Sequence, residues 1–429
     1  MPRLPGEAFA PDCTIEVDGR PVAARAGESV AVALVAAGRP LVARSAKYHR
    51  PRGPFCLSGS CHACLARVDG VPNRRTCRVP CRPGLAVESQ NALPTAANDL
   101  LGAIDRIYAH GLDHHHLVTW NGVANRAAVA FSRRLAGLGR LADRAPPAAP
   151  PATMERFDAV VIGAGPAGLG AAEALARAGR RVLVADVEPA LGGRLRCGLA
   201  LPGDPPLAWA AEVARAVEGG GGEASPRTTA LGVWRDGGSP ILTLRVDGEP
   251  PRLRLVHARS LLLATGTFAL PPVFARNDLP GIFAARGLAR ALAEDGLVPG
   301  ERAVVLGDGM EAEALAARLA GAGMEVRAAH AVSSARGVRW LAGVVTGGGE
   351  RLRCDTLACA GSRAPASDLA RAAGAAVELD ASGGWRVRAG EGGATGVAGV
   401  RAAGEVVAPM TAAEAAEAGR RAGEAARGD

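Results

Sequence analysis

The sequence predicts an α/β chain: a Rossmann-like nucleotide fold, a second such fold inserted into it, and a small β-grasp domain in front. Three observations predict it. A strand, a glycine turn and a helix run from Phe157 to Asp186, a similar pattern recurs from Ala303 to Ala329, and a cluster of cysteines lies between Cys56 and Cys81. The expected domains are 1–95 for the cysteine-bearing part and 96–153 for a helical connector with a Pro-rich linker. Residues 154–275 and 396–429 form the two parts of the first nucleotide fold, and 276–395 the inserted one.

At 429 residues and 48% hydrophobic, the chain is long enough for two or three cored domains. No run of eighteen apolar residues exists, and the N-terminus lacks a charged-then-apolar leader pattern. The expectation is a cytoplasmic protein with no integral membrane segment. The net charge of +8 does not imply nucleic acid: Lys47 is the only lysine, arginines are spread throughout, and aromatics are 3%. In a cytosolic protein, cysteines this closely grouped point to metal binding rather than disulfides.

In chain order, Cys13–Val17, the turn Asp18-Gly19 and Pro21–Ala24 read as a β-hairpin. A helix follows from Ser29 to Ala37, stopped by Gly38 and Pro40. Cys56, Cys61 and Cys64 have C-x4-C-x2-C spacing, the plant-type ferredoxin pattern in which one loop wraps three thiolates around a 2Fe-2S cluster. Cys77, across a hairpin turning at Asp69-Gly70, supplies the fourth ligand, with Cys81 as its rival. Zinc is the competing metal, but zinc sites usually pair two C-x2-C knuckles.

This cysteine segment resembles the 2Fe-2S domain of the hydrogen cyanide synthase, opine oxidase and hydroxyproline dehydrogenase complexes. It also resembles the head of the alpha subunit of heterotetrameric sarcosine oxidase. That last version is similar to a cluster domain without its ligands, whereas this chain keeps all four.

Asn98–Tyr108 and Asn125–Leu138 read as connector helices, the second with Ala128, Phe131, Leu135 and Leu138 as a packing stripe. His114-His115-His116 could be called a metal site, but neighbouring residues on a loop rarely converge on one ion without carboxylate or cysteine help. The resemblance to the sarcosine oxidase alpha subunit runs to Ala136–Gly139, with histidines where that family tends to carry aromatics. The run Ala145–Ala152 is the Pro-rich boundary.

Phe157–Ile162 leads into Gly163-Ala164-Gly165-Pro166-Ala167-Gly168, a helix to Ala178, and a second strand ending at Asp186. Gly163 permits the turn, Gly165 admits a pyrophosphate at the helix N-terminus, Gly168 allows close packing, and Asp186 can accept a ribose hydroxyl. Three further segments point to FAD by resemblance to two-domain flavoprotein reductases. They are the loop Leu191-Gly192-Gly193-Arg194, the turn Ala264-Thr265-Gly266, and Gly399 to Gly404-Glu405, where Glu405 stands for the usual aspartate on the ribityl chain.

Gly307-Asp308-Gly309-Met310-Glu311-Ala312 repeats the pattern and could take NAD(P), yet its second strand ends at Ala329-His330 without a ribose carboxylate. The alternative is a retained fold that buries one side of the flavin. Cys354 and Cys359 read as buried core, and no C-x-x-C pair in either nucleotide domain supports disulfide reduction. The last helix ends close to Asp429, so neither the extra cluster module nor the folate-binding half of the longest relatives is expected.

No residue in the flavin motifs has an argued role as a base, so no catalytic residue is assigned. The resemblance implies a partner, an amino-acid-oxidase-like second flavoprotein that oxidises sarcosine, proline, hydroxyproline, glycine or an opine. This chain would then move the electrons. The rival readings are a self-sufficient NAD(P)H-dependent reductase and a non-catalytic assembly subunit.

Overall fold

The computed structural model describes residues 3–46, 48–103, 121–135, 141–145, 147–361, 363–380 and 383–428. Contacts divide the chain into two units: Met1–Ala145 with Pro271–Gly361, and Pro146–Leu270 with Ser362–Asp429. Among the described residues, no helix is long and apolar enough to cross a membrane.

The first unit begins with the expected hairpin, Cys13–Val17 paired antiparallel with Arg20–Ala24. Asp18 and Gly19 both take positive φ, 49° and 72°, the tight turn whose twist matches the strands. Asp69 and Gly70 (47° and 75°) repeat this between Leu65–Val68 and Val71–Arg75. Ala86–Glu88 joins the two hairpins, parallel to Cys13–Val17 and antiparallel to Leu65–Val68, which completes a five-stranded sheet. The helix Val30–Ala36, capped by Ser29, is buried along its whole length. It closes a core of Ile15, Val22, Val30, Leu34, Val68, Leu85 and Val87.

The same unit contains a four-stranded parallel sheet in the order Ile282–Ala284, Thr356–Cys359, Arg302–Leu306, Glu325–Ala329, with helices Ala285–Asp295 and Met310–Gly321. Cys354 and Cys359 are buried in it, as expected for core residues.

The second unit is a seven-stranded sheet. Glu223–Ser225, Val182–Ala185, Thr153–Ile162, Arg252–Leu263 and Val400–Ala402 run parallel, and Ser239–Val246 and Thr228–Asp236 extend the sheet antiparallel. Helices Pro166–Arg177 and Ala412–Ala425 pack backbone to backbone. A Cβ on Gly419 would lie 1.8 Å from the Ala167 carbonyl oxygen, and one on Gly170 2.1 Å from that of Ala416. Only glycine allows that approach.

Two boundaries differ from the sequence expectation, and residues 271–275 fall in the first unit rather than with the first nucleotide fold. Residues 363–380 and 383–395 join the second unit rather than the inserted fold. Ala370, Ala373, Ala375 and Val387 pack into its sheet core, Arg363–Pro365 pairs with Thr267–Ala269, and Val387 N–H donates to the Val406 carbonyl at 2.9 Å. Of the expected helix Asn98–Tyr108, residues 98–103 are described: a 3₁₀ turn at Leu100–Gly102, capped by Asp99, leads into a helical Ala103. The second connector helix starts earlier than expected, at Gly122, because the Asn121 side chain accepts from the N–H groups of Val123 and Ala124. The histidines 114–116, residues 136–139 and the packing stripe's side chains lie outside the described residues.

Candidate cofactor sites

Three of the four cysteines expected to hold a cluster lie on the loop between the first helix and the second hairpin. Cys77 follows that hairpin on the 3₁₀ turn Thr76–Arg78. Cys56, Cys64 and Cys77 are buried and Cys61 is half-buried. The loop doubles back through Leu57 (φ 51°) and Gly59 (φ 78°); a Cβ on Gly59 would lie 2.7 Å from Arg78 Cδ. Thr76 ties the turn to the loop, its N–H and hydroxyl both donating to the Cys64 carbonyl at 3.0 Å. The N–H groups of Ser58 and Cys61 donate to Cys56 Sγ at 3.5 and 3.4 Å.

Side-chain hydrogen bonds link Cys61 to Cys56, Cys56 to Cys77 and Cys77 to Cys64. Hydrogen bonds from Cys61 and Cys77 hold the Cys56 thiol far below the usual range, and one from Cys77 draws Cys64 to about 7. The two donors are raised, Cys61 by its bond to Cys56 and Cys77 by its bonds to Cys56 and Cys64. Four sulfurs close enough to share protons, with backbone N–H groups aimed at one of them, form a donor set that fits a thiolate-held cluster. Cys81 stands apart: burial pushes its thiol up to about 12, and its charged neighbours are Glu28, Arg3 and Asp295. Cys61 and His62 also line a cavity of about 480 Å³ with Arg52 and Asp278.

In the second unit, the fingerprint has the geometry that its glycines imply. A Cβ on Gly163 (φ 101°) would lie 2.2 Å from the Ala264 carbonyl oxygen, and one on Gly168 1.7 Å from that of Gly163. The nearest atom to one on Gly165 is Gly193 Cα, 3.9 Å away. Gly165 caps the helix and Pro166 and Ala167 open it, leaving first-turn N–H groups for an anion. Asp186 is buried at the strand end; Ala164 N–H donates to its Oδ2 at 2.5 Å and Glu188 N–H to its Oδ1 at 2.8 Å. Gly192 N–H donates to the Ala164 carbonyl, so the Gly192-Gly193 loop lies over the fingerprint.

Thr265 donates to the Ala366 carbonyl at 2.7 Å and Gly266 takes φ 64°, facing open space. Gly404 (φ 86°) passes the fingerprint helix, where its Cβ would lie 2.7 Å from that of Ala167. Glu405 is engaged by protein groups: Arg194 at 3.0 Å, Arg363 at 3.8 Å and the Thr267 hydroxyl at 3.4 Å. Arg363 belongs to no motif, and its partnership with Glu405 has no signature in local spacing. The donor set fits a dinucleotide at Gly163–Asp186.

In the inserted fold, Gly307 (φ 121°) and Gly309 (φ 87°) form the expected turn. Asp308 pairs with His330, and Glu311 is gripped by both ends of the Arg286 guanidinium at 2.6 and 3.1 Å. These partners were not legible in the motif.

A 2Fe-2S iron-sulfur cluster binding domain family matches residues 10–92, and an NAD(P)-binding Rossmann-like domain family matches residues 161–217. The second match covers the glycine turn, helix and second strand that NAD(P) and FAD folds share. The sarcosine oxidase alpha subunit of Rhizobium meliloti is 33% identical over 328 residues, covering 72% of this chain and 33% of its own length. The hydrogen cyanide synthase protein HcnA of Pseudomonas aeruginosa is 45% identical over 80 residues, covering 19% of this chain and 76% of its own. An opine oxidase subunit of R. meliloti is 34% identical over 210 residues, 46% of this chain and 44% of its own. The chain thus spans about a third of the sarcosine oxidase alpha subunit that it matches. The crystal structure of L-proline dehydrogenase from P. horikoshii superposes with a TM-score of 0.75 at 20% identity, over 98% of this chain and 74% of that one, and shows the same fold.

Proposed function

The chain belongs to the family of FAD- and 2Fe-2S-dependent subunits of amine and amino-acid oxidases and dehydrogenases, and on that premise we propose that it is the electron-transfer subunit of a heteromeric complex. It is an FAD-dependent oxidoreductase in this reading, and its partner is a second, amino-acid-oxidase-like flavoprotein. That partner would oxidise a secondary amine or amino acid of the sarcosine, proline, hydroxyproline, glycine or opine type.

The observation that carries the reading is the pairing, in one chain, of a largely buried four-thiol site with a dinucleotide fold whose flavin motifs, among the described residues, offer no free base. Bound FAD exchanges two electrons and a 2Fe-2S cluster one, so together they split electron pairs into single steps. The protein's part is positioning. Gly163–Gly168 cradles the pyrophosphate, Asp186 orients the ribose end, and Cys56, Cys61, Cys64 and Cys77 hold the iron. The Glu405 carboxylate is occupied by Arg194 and Arg363, so it does not serve as a proton acceptor for an amine. Free-thiol ligands suit a reducing compartment, the cytoplasm.

The test is anaerobic flavin bleaching by a panel of secondary amines, with the isolated chain and with the complex purified after co-expression of the partner. Bleaching by the complex alone is expected. Fast bleaching of the isolated chain would move amine oxidation onto this protein itself.

A further inference from the structure

The loop carrying Cys56 is held by the inserted nucleotide fold through the end of the strand Ile282–Ala284 and one face of the helix Ala285–Asp295. Ala284 N–H donates to the Phe55 carbonyl at 2.9 Å. A Cβ on Gly287 would lie 2.1 Å from the Cys56 carbonyl oxygen and 3.3 Å from Leu57 Cβ. Arg290 Nη2 donates to the Leu57 carbonyl at 2.8 Å. Ala284 ends the strand and caps the helix, while Gly287 and Arg290, spaced by three, are neighbours on one helical face; together the three positions hold three consecutive loop residues. The C-terminal end of the same helix is tied to the β-grasp domain as well. Arg25 donates to the Glu294 carbonyl and Arg3 to that of Asp295, both at 3.2 Å, a favourable place for cations beside the last helix carbonyls.

The inserted fold's own phosphate turn does not fit a dinucleotide. Its backbone is right, but Glu311 and Glu313 occupy the first turn of the helix where a pyrophosphate would bring more negative charge. Arg286, a cation of the same docking helix, is already held by Glu311. The strand Glu325–Ala329 ends without a carboxylate for ribose hydroxyls.

We propose that the inserted nucleotide fold is a docking platform for the cluster loop and takes no dinucleotide. Residues 284, 287 and 290 seat the loop, and the Arg286–Glu311 pair fastens the docking helix to its own fold. The inference rests on a cluster at the Cys56 loop; iron analysis of the wild-type protein tests that premise separately.

The experiment uses the cluster-loaded, FAD-replete chain. In Gly287→Val, iron content and the electron paramagnetic resonance signal of the reduced cluster should fall at least severalfold while flavin absorbance persists. Arg290→Met, which leaves the loop's backbone space intact, should shift the same signal and decides the matter if Gly287→Val loses its flavin as well. Calorimetric titration with NADH and with NADPH to about 1 mM should give no saturable heat. An unchanged cluster signal in both variants, or saturable binding of either dinucleotide, overturns the proposal.

Discussion

Arg194 donates a hydrogen bond to Glu405 at 3.0 Å, joining segments 211 residues apart, and its guanidinium also donates to the Met410 carbonyl at 2.9 Å. The loop over the fingerprint is thereby tied to the entry of the last helix. Glutamate carries its carboxylate one methylene farther than aspartate, toward Arg194. Truncating Glu405 to Ala leaves Arg194 and Arg363 facing a buried gap. The expected loss is about 3 kcal/mol of stability with weakened flavin retention, read by thermal unfolding followed through flavin fluorescence. Glu405→Gln should fall between that variant and wild type. A Glu405→Ala protein as stable as wild type would make the pair idle.

Gly165→Val should abolish FAD binding and keep the fold. A Cβ there meets no protein atom closer than 3.9 Å, so the valine side chain extends into the space that the pyrophosphate needs. Gly168→Val should instead unfold the second unit, because its Cβ would collide with the Gly163 carbonyl at 1.7 Å. The flavin-to-protein ratio and circular dichroism, measured together, separate the two effects.

Cys77→Ser should cost most of the iron, whereas Cys81→Ser should retain it. Cys77 shares hydrogen bonds with Cys56 and Cys64, while Cys81 is packed in the β-grasp core. Iron and sulfide analysis, expected near two of each per wild-type chain in a 2Fe-2S protein, checks both variants. Equal losses would reopen the choice of ligand.

Arg254 bonds Glu155 at 2.5 and 2.9 Å and Glu223 at 2.6 and 2.7 Å, and these bonds hold both carboxyls below their ordinary value of 4.5. Their stabilising contribution is whole above that pH and is lost as pH falls through the lowered folded-state values. Arg254→Met should remove this acid-side slope and, because both glutamates are partly exposed, cost only about 1–2 kcal/mol at pH 7. Urea unfolding between pH 3 and pH 7 measures it; an unaltered slope in the variant would mean that other carboxylates carry the acid response.

The amino-acid sequence by itself determined the turns expected to bear the cofactors. The spacing of Cys56, Cys61 and Cys64, the glycines at 163, 165 and 168, and the two Asp-Gly hairpins are local features, each set by the backbone conformations that a few adjacent residues can adopt. Tertiary structure alone decided which of Cys77 and Cys81 faces the other thiols and which unit holds residues 363–395. It also decided what occupies Glu405 and that Gly287 receives the Cys56 carbonyl. Gly287 and Cys56 are more than two hundred residues apart, and nothing in the spacing around either reveals the other. Such pairs arise because close packing selects small or oppositely charged side chains wherever two distant segments meet, and the meeting point belongs to the fold rather than to either segment.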